Sequence, residues 1–272
     1  MSISTTIEGA YLTSAHALGI EPTWDKTILA TMKRRDAAQA LADLQPRDAA
    51  QELMAAPNPR QWDSILSEIT QHNAKVETAK VAIRGRLFST TQAQLDQQLK
   101  QYLPQYAAQA WERVNGVLTS ITDTAAHVPT MSAETAVREG FGDKLSDFHQ
   151  HAHAIRQHTA LGSAVAPTGR VHVATHALAL IVAPEPINPI RRTQPTRWSA
   201  PGGELKSGPE DVARKDATHN LLTAWSRDEV DTLRRLARRE FDGFELSAAT
   251  AEDYRWRVEQ FANSQRVIHV DD

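Results

Sequence analysis

Cysteine is absent from this 272-residue chain, which removes disulfide frameworks, thiolate metal sites and cysteine nucleophiles together. A reducing compartment fits that absence. Long apolar runs are missing as well. The longest, Ala177 to Ala183, falls far short of the roughly 20 residues that cross a bilayer. Met1 to Gly19 carries neither a basic start nor an apolar stretch of the kind a secretion leader needs. These absences predict no membrane partner and a cytoplasmic location, or incorporation into a particle assembled in the cytoplasm. Excess charge of one sign is lacking too. Thirty basic and 33 acidic side chains leave a net charge of -3, so no global field recruits nucleic acid.

Several catalytic signatures are also missing. Gly202 to Gly208 holds Lys206 and Ser207 in the wrong order for a phosphate loop, and no strand precedes it. No serine sits in a G-x-S-x-G elbow, and no dinucleotide fingerprint occurs. Aromatic residues make up only 6%, yet 41% hydrophobic and 23% charged residues match a folded globular chain.

What is present predicts a mainly α fold. Its centre is a long antiparallel helical hairpin from about Trp62 to Ile121, accompanied by further helices, one or two short β-strands and a small helical C-terminal unit. In the first arm Trp62, Ile69, Val76 and Ile83 recur every seven residues, with Leu66 and Leu87 on a second seam that Asn73 and Lys80 interrupt. Such a half-apolar seam predicts packing against the same chain rather than a free coiled coil. Gly85 and the cluster Ser89, Thr90, Thr91 read as a stop and a new N-cap. In the second arm Pro104 is expected to kink or divide the helix.

The chain reads as five segments. Residues 1–58 hold short helices, including two alanine-rich ones built on a near-repeat of Arg35 to Gln39 at Arg47 to Gln51, with Pro46 in the first turn of the second. Residues 59–165 hold the hairpin and a histidine-rich helix from Ala133 to about Leu161, weakened by Gly140 and Gly142 and bounded by Gly162. Residues 166–183 contain the strand candidate Val171 to Val182, in need of a partner such as Arg266 to Val270. Residues 184–209 form a linker with Pro184, Pro186, Pro189, Pro195, Pro201 and Pro209. Residues 210–272 carry three helices: one ending near Trp225, one from Arg227 to Glu240 capped by Ser226, and one from Ala251 to Asn263 capped by Thr250. The six tryptophans read as core anchors, Trp198 excepted.

Two clusters are candidates for chemistry. His149 and His153 stand one helical turn apart, and with Asp147 or His176 they form a candidate divalent-metal site; no glutamate completes an H-E-x-x-H motif. The bland reading is a solvated helix face. Arg191, Arg192, Arg197 and Trp198 in the linker form a candidate arm for a protein partner or a nucleic-acid backbone. Arg234, Arg235, Arg238 and Arg239, preceded by acids on one helix, read as an exposed face that complements the helix dipole. Together these features predict a non-enzymatic structural or assembly protein acting through helix and arm contacts in a multi-subunit complex, with self-association or protein partners and no cofactor. A phage or prophage virion or scaffold-like component is the setting envisaged. The alternatives are a metal-dependent hydrolase or nuclease using the histidines, and a nucleic-acid-binding accessory factor.

Overall fold

A computed structural model describes residues 6–43, 45–55, 58–82, 86–166, 173–193 and 203–270. The fold is mainly α. Among the described residues there are eleven α-helices, one 3-10 turn and four short strands. The chain separates into two compact units, one of residues 24–101 and one formed by 1–23 with 102–272.

The smaller unit holds α2 (Lys26–Ala42), α3 (Ala49–Ala55), the 3-10 turn Pro59–Gln61, α4 (Trp62–Ala82) and the first turns of α5 (Phe88–Ala125). Asp25 opens α2, its carboxylate accepting from the amides of Thr27 and Ile28, both at 2.8 Å. Asp48 opens α3 in the same way, accepting from Ala50 and Gln51. Pro46 therefore lies before the cap and not in the first helical turn as the sequence suggested.

In α4 only the middle of the expected seam is covered, at Ile69 and Val76; Trp62, Leu66 and Leu87 are exposed. Asn73, the polar break in that seam, has a specific task. It accepts from the Arg47 amide at 2.8 Å and donates to the Arg47 carbonyl at 3.0 Å, satisfying a loop backbone that a leucine would leave orphaned. Residues 83–85, with Ile83 and Gly85, lie outside the described residues. The serine-threonine cluster does not cap α5. Ser89 and Thr91 sit inside its first turns and donate to the carbonyls of Arg86 and Leu87.

Pro104 does not divide α5, which is continuous through it. Proline removes one ladder hydrogen bond, but Tyr102, Leu103, Tyr106 and Ala107 around it are all buried, and that packing carries the helix past the break. The boundary between the two units falls within this helix, after Gln101.

The larger unit packs α1 (Ile7–Leu18) on α7 (Gly142–Val165), and α7 on α8 (Val173–Ala179). Gly140, with φ of 80°, ends α6 (Ala133–Glu139), so the histidine-rich helix begins only at Gly142. Gly162 is a contact and not a terminus. A Cβ there would fall 2.4 Å from the His176 carbonyl oxygen, so the missing side chain is what lets α8 cross so closely.

The strand expected over Val171 to Val182 is mostly helix. Residues 173–179 form α8, and only Val182–Pro184 is extended, as β1; residues 171 and 172 lie outside the described residues. From Ala174 to Val182 every side chain is buried, so the run is apolar on all sides and its alternation carries no information about period. β1 pairs antiparallel with β3 (Phe244–Leu246), while β4 (Val267–Val270) pairs in parallel with β2 (Ile190–Thr193). The expected linker thus contributes a strand, and Arg266 to Val270 serves that strand rather than β1.

The last helices are α9 (Pro209–Arg227), α10 (Glu229–Ala237) and α11 (Ala251–Asn263). Thr250 caps α11 with a reciprocal bond from Asp253, as the sequence indicated. Asp228, not Ser226, caps α10; Ser226 lies inside α9 and donates to the Leu222 carbonyl. The arginine row is a solvated face only in part, with Arg238 and Arg239 exposed, Arg235 half-buried and Arg234 buried. Arg234 is 9% exposed and donates to Asp231 and to the Pro129 carbonyl, and Arg238 donates to the Ala125 carbonyl at the end of α5. Among the described tryptophans only Trp225 is buried, and Trp62, Trp111 and Trp256 are each at least 40% exposed, which corrects their reading as core anchors.

Two glycine substitutions separate these effects. Gly162→Ala forces α7 and α8 apart and is expected to cost about 1–3 kcal/mol. Gly116→Ala, inside α5 with nothing within 4 Å of its Cβ position, is expected to stabilise by roughly 0.5–1 kcal/mol. Thermal melts of the two variants check the opposite signs.

Candidate functional site

The residues proposed as metal ligands do not converge. Asp147, His149 and His153 lie on the exposed side of α7, whereas His176 is buried on α8 with its Nδ1 2.7 Å from the Tyr254 hydroxyl of α11. Among the described residues no three histidine, aspartate or glutamate side chains are grouped to hold a metal ion. The heptad phase of α7 explains the separation. Leu145, Phe148, Ala152 and Ile155 form its buried stripe, and His149 and His153 follow one position later, turned about 100° out of it.

The histidine that the fold does use is His158, which the metal reading left aside. The Tyr106 hydroxyl donates to Ser14 Oγ at 2.9 Å, leaving the serine proton for His158 Nδ1 at 3.0 Å. All three side chains are buried. Burial pushes His158 down to about 4 and raises Tyr106 to about 12, so both stay neutral at pH 7. Burial likewise lowers His176 and raises Tyr254. This relay lines neither of the two cavities described below and reads as a structural network.

The linker arm is divided. Arg191 and Arg192 belong to β2; the Arg191 amide donates to Ser207 Oγ at 2.6 Å and its carbonyl accepts from the Lys206 amide. Arg197 and Trp198 lie outside the described residues.

A cavity of about 550 Å³ opens in the larger unit, within the size range of ligand sites. Its walls include Glu185 after β1, Phe244 and Leu246 of β3, Thr122 of α5, and Arg239 and Phe241 from the turn after α10. A second, of about 300 Å³, shares Glu185 and Phe244 and extends to Arg214 of α9. Arg214 pairs with Glu185 at 3.5 Å. Asp242 and Glu245, also on the walls, are exposed and join no ion pair among the described residues. Arg239 holds φ of 58°, an uncommon left-handed geometry for a non-glycine residue, and Gly243 follows at 80°.

Compared with known proteins, the chain matches no family model, no curated protein and no solved structure. The site must therefore be read from its own residues.

Of the cavity residues, the sequence drew attention to Pro184, as linker, and Arg239, as part of a helix face. The Asp242–Gly243 dipeptide is a turn signal and marks the place where the chain enters β3. Asn115, whose Oδ1 accepts from the Ala248 amide at 2.9 Å, gives no local sign, because its partner lies 133 residues away. In the smaller unit, Leu29, Met54, Trp62, Leu66, Val81 and Leu87 are exposed, while its buried apolar side chains among those described are Ile28, Ala38, Ile69, Val76, Leu95 and Leu99.

The relay predicts an acid sensitivity. His158 has a folded pKa below its unfolded one, so its contribution is fully present above about 6.5 and is lost as pH falls toward 4. Protonating Nδ1 also expels the Ser14 proton. Urea unfolding of the larger unit is expected to be easier at pH 5 than at pH 7 by about 2 kcal/mol from this group, and His158→Gln should flatten that dependence.

Proposed function

We propose that the chain is a non-enzymatic structural or assembly protein that docks onto other subunits of a multi-subunit complex through the helices of its smaller unit. The observation that carries this reading is the balance of apolar side chains there. Among the described residues six large ones stand exposed, against six apolar residues, one of them an alanine, that are buried. Single exposed apolar residues are ordinary. Trp62 and Leu66 are not isolated, because four residues put them on one face of α4, with Ile65 half-buried beside them. Tryptophan is also the side chain most enriched where interfaces concentrate their energy. The virion or scaffold-like setting belongs to the same proposal as one kind of complex that such a subunit would enter. The spread of His149, His153 and His176 lends no support to metal-dependent hydrolysis, and Arg191 and Arg192 are engaged through their backbone in a small sheet.

Size-exclusion chromatography with light scattering tests the reading. The purified chain is expected above its monomer mass of 30.1 kDa, or bound to a co-purifying subunit, and Trp62→Gln with Leu66→Gln is expected to return it to monomer with an unchanged helical spectrum. A strict monomer without a partner, identical in the double variant, contradicts it.

A further inference from the structure

We propose that the slot between the outer edge of β3 and α5 receives an extended, basic peptide segment of a partner protein as an added β-strand. This goes beyond the assembly reading and stands on the larger unit alone.

The register of the β1–β3 ribbon decides which backbone groups are free. Glu185 donates its amide to the Gly243 carbonyl and Ser247 donates to the Ile181 carbonyl, both at 2.9 Å. With Ala183 opposite Glu245, residues 243, 245 and 247 turn their polar groups toward β1. In an antiparallel pair the alternate residues then turn theirs outward. The N–H and C=O of Phe244 and Leu246 therefore point away from β1, and they have no hydrogen-bond partner among the described residues.

The same outward series continues to Ala248, and there the edge is closed: its amide donates to Asn115 of α5. Thr122 lies seven residues beyond Asn115, about 10 Å along the same helix at 1.5 Å per residue, and it lines the cavity together with Phe244 and Leu246. α5 thus meets the outer series at Ala248, and its Thr122 shares a cavity with Phe244 and Leu246. Phe244 and Leu246 line the cavity of about 550 Å³ together with Ala183 and Pro184 of β1 and with Leu236 and Ala237 of α10, which packs on β3.

An open strand edge facing a cavity suits strand addition, in which backbone hydrogen bonds supply affinity and the pocket selects side chains. The charge selects a basic segment. Three carboxylates on these walls, Glu185, which pairs with Arg214, Glu245, which also interacts with the Arg257 guanidinium, and Asp242, outnumber the one guanidinium there, Arg239. A strand from a second copy of this chain, or an acidic strand, is an outcome of the test.

The full chain is titrated with blocked hexapeptides Val-Lys-Val-Lys-Val-Lys and Val-Glu-Val-Glu-Val-Glu and followed by hydrogen exchange and amide chemical shifts. Expected is tighter binding of the lysine peptide by at least about tenfold, with new protection at Phe244 and Leu246. Leu246→Pro removes an outward amide that no ladder bond uses, and it is expected to weaken binding by about tenfold. Asp242→Lys with Glu245→Lys changes only exposed side chains and is expected to reverse the preference toward the glutamate peptide. The proposal is overturned if neither peptide binds at millimolar concentration. It is equally overturned if protection maps elsewhere, if the charge-reversed protein keeps the lysine preference, or if the edge is protected by dimerisation without peptide. The effect of Trp62→Gln with Leu66→Gln on the mass concerns the smaller unit and is read separately from peptide binding at β3, so the two readings fail separately.

Discussion

The larger unit depends on the buried relay from Tyr106 through Ser14 to His158. Its members lie on α5, α1 and α7, 92 and 144 residues apart in pairs. A buried hydroxyl or imidazole left without its partner costs about 1–3 kcal/mol, so only one register of the three helices is acceptable. Around it Tyr11 meets Tyr106 edge-on with ring centroids 5.0 Å apart, an arrangement that adds to area burial. With α7 fixed by His158, the bare backbone at Gly162 admits α8, and α8 leads directly into β1. The position of the ribbon that borders the cavity is therefore inherited from a hydrogen-bond network on its far side in sequence.

A second constraint holds the other wall. The last turn of α5 and the loop after it present the carbonyls of Ala125 and Pro129, which Arg238 and Arg234 satisfy from α10. Both guanidiniums, with Arg235, also reach Glu240 at 3.2–3.5 Å. Most of these groups are about a third exposed, so each ion pair is worth no more than a fraction of a kcal/mol to about 1 kcal/mol. Their value is geometric. They pin the end of α10 so that the chain turns through Arg239 and Gly243 into β3, and they offset the left-handed backbone at Arg239, which costs about 1–2 kcal/mol.

Elements governed by local chemistry were legible in the sequence. The Thr250 cap marked the start of α11, and the long periodic stretches marked α4 and α5 and pointed to a mainly α fold. Elements governed by partners distant in sequence were not. The run from Ala174 to Val182 is buried on every side, so helix and strand fit it equally until α7 and α11 are placed around it. The arginines of α10 look like a solvated row until the carbonyls of Ala125 and Pro129 arrive beneath them. His149 and His153 have the spacing of ligands, but the apolar stripe of α7 turns them outward and gives the interior to His158. Of the cavity, Pro184 and Arg239 were noticed in the sequence, one as linker and one as part of a helix face, and nothing local showed that they border one space.

The polar residues set among apolar ones turn out to be the most specific positions in the chain. Asn73 weakens the seam of α4 as a heptad, and that same amide receives both backbone groups of Arg47. Asn115 does the same for one amide at Ala248. An apolar residue at either place would add burial worth about 1–3 kcal/mol but would leave a backbone group unpaired at a similar cost. The energies nearly cancel, so what the asparagines decide is position. One fixes where the loop at Arg47 meets α4, and the other fixes the point at which α5 stops covering the edge of β3. The open stretch at Leu246 and Phe244 is thus set by the side chain that closes the stretch next to it.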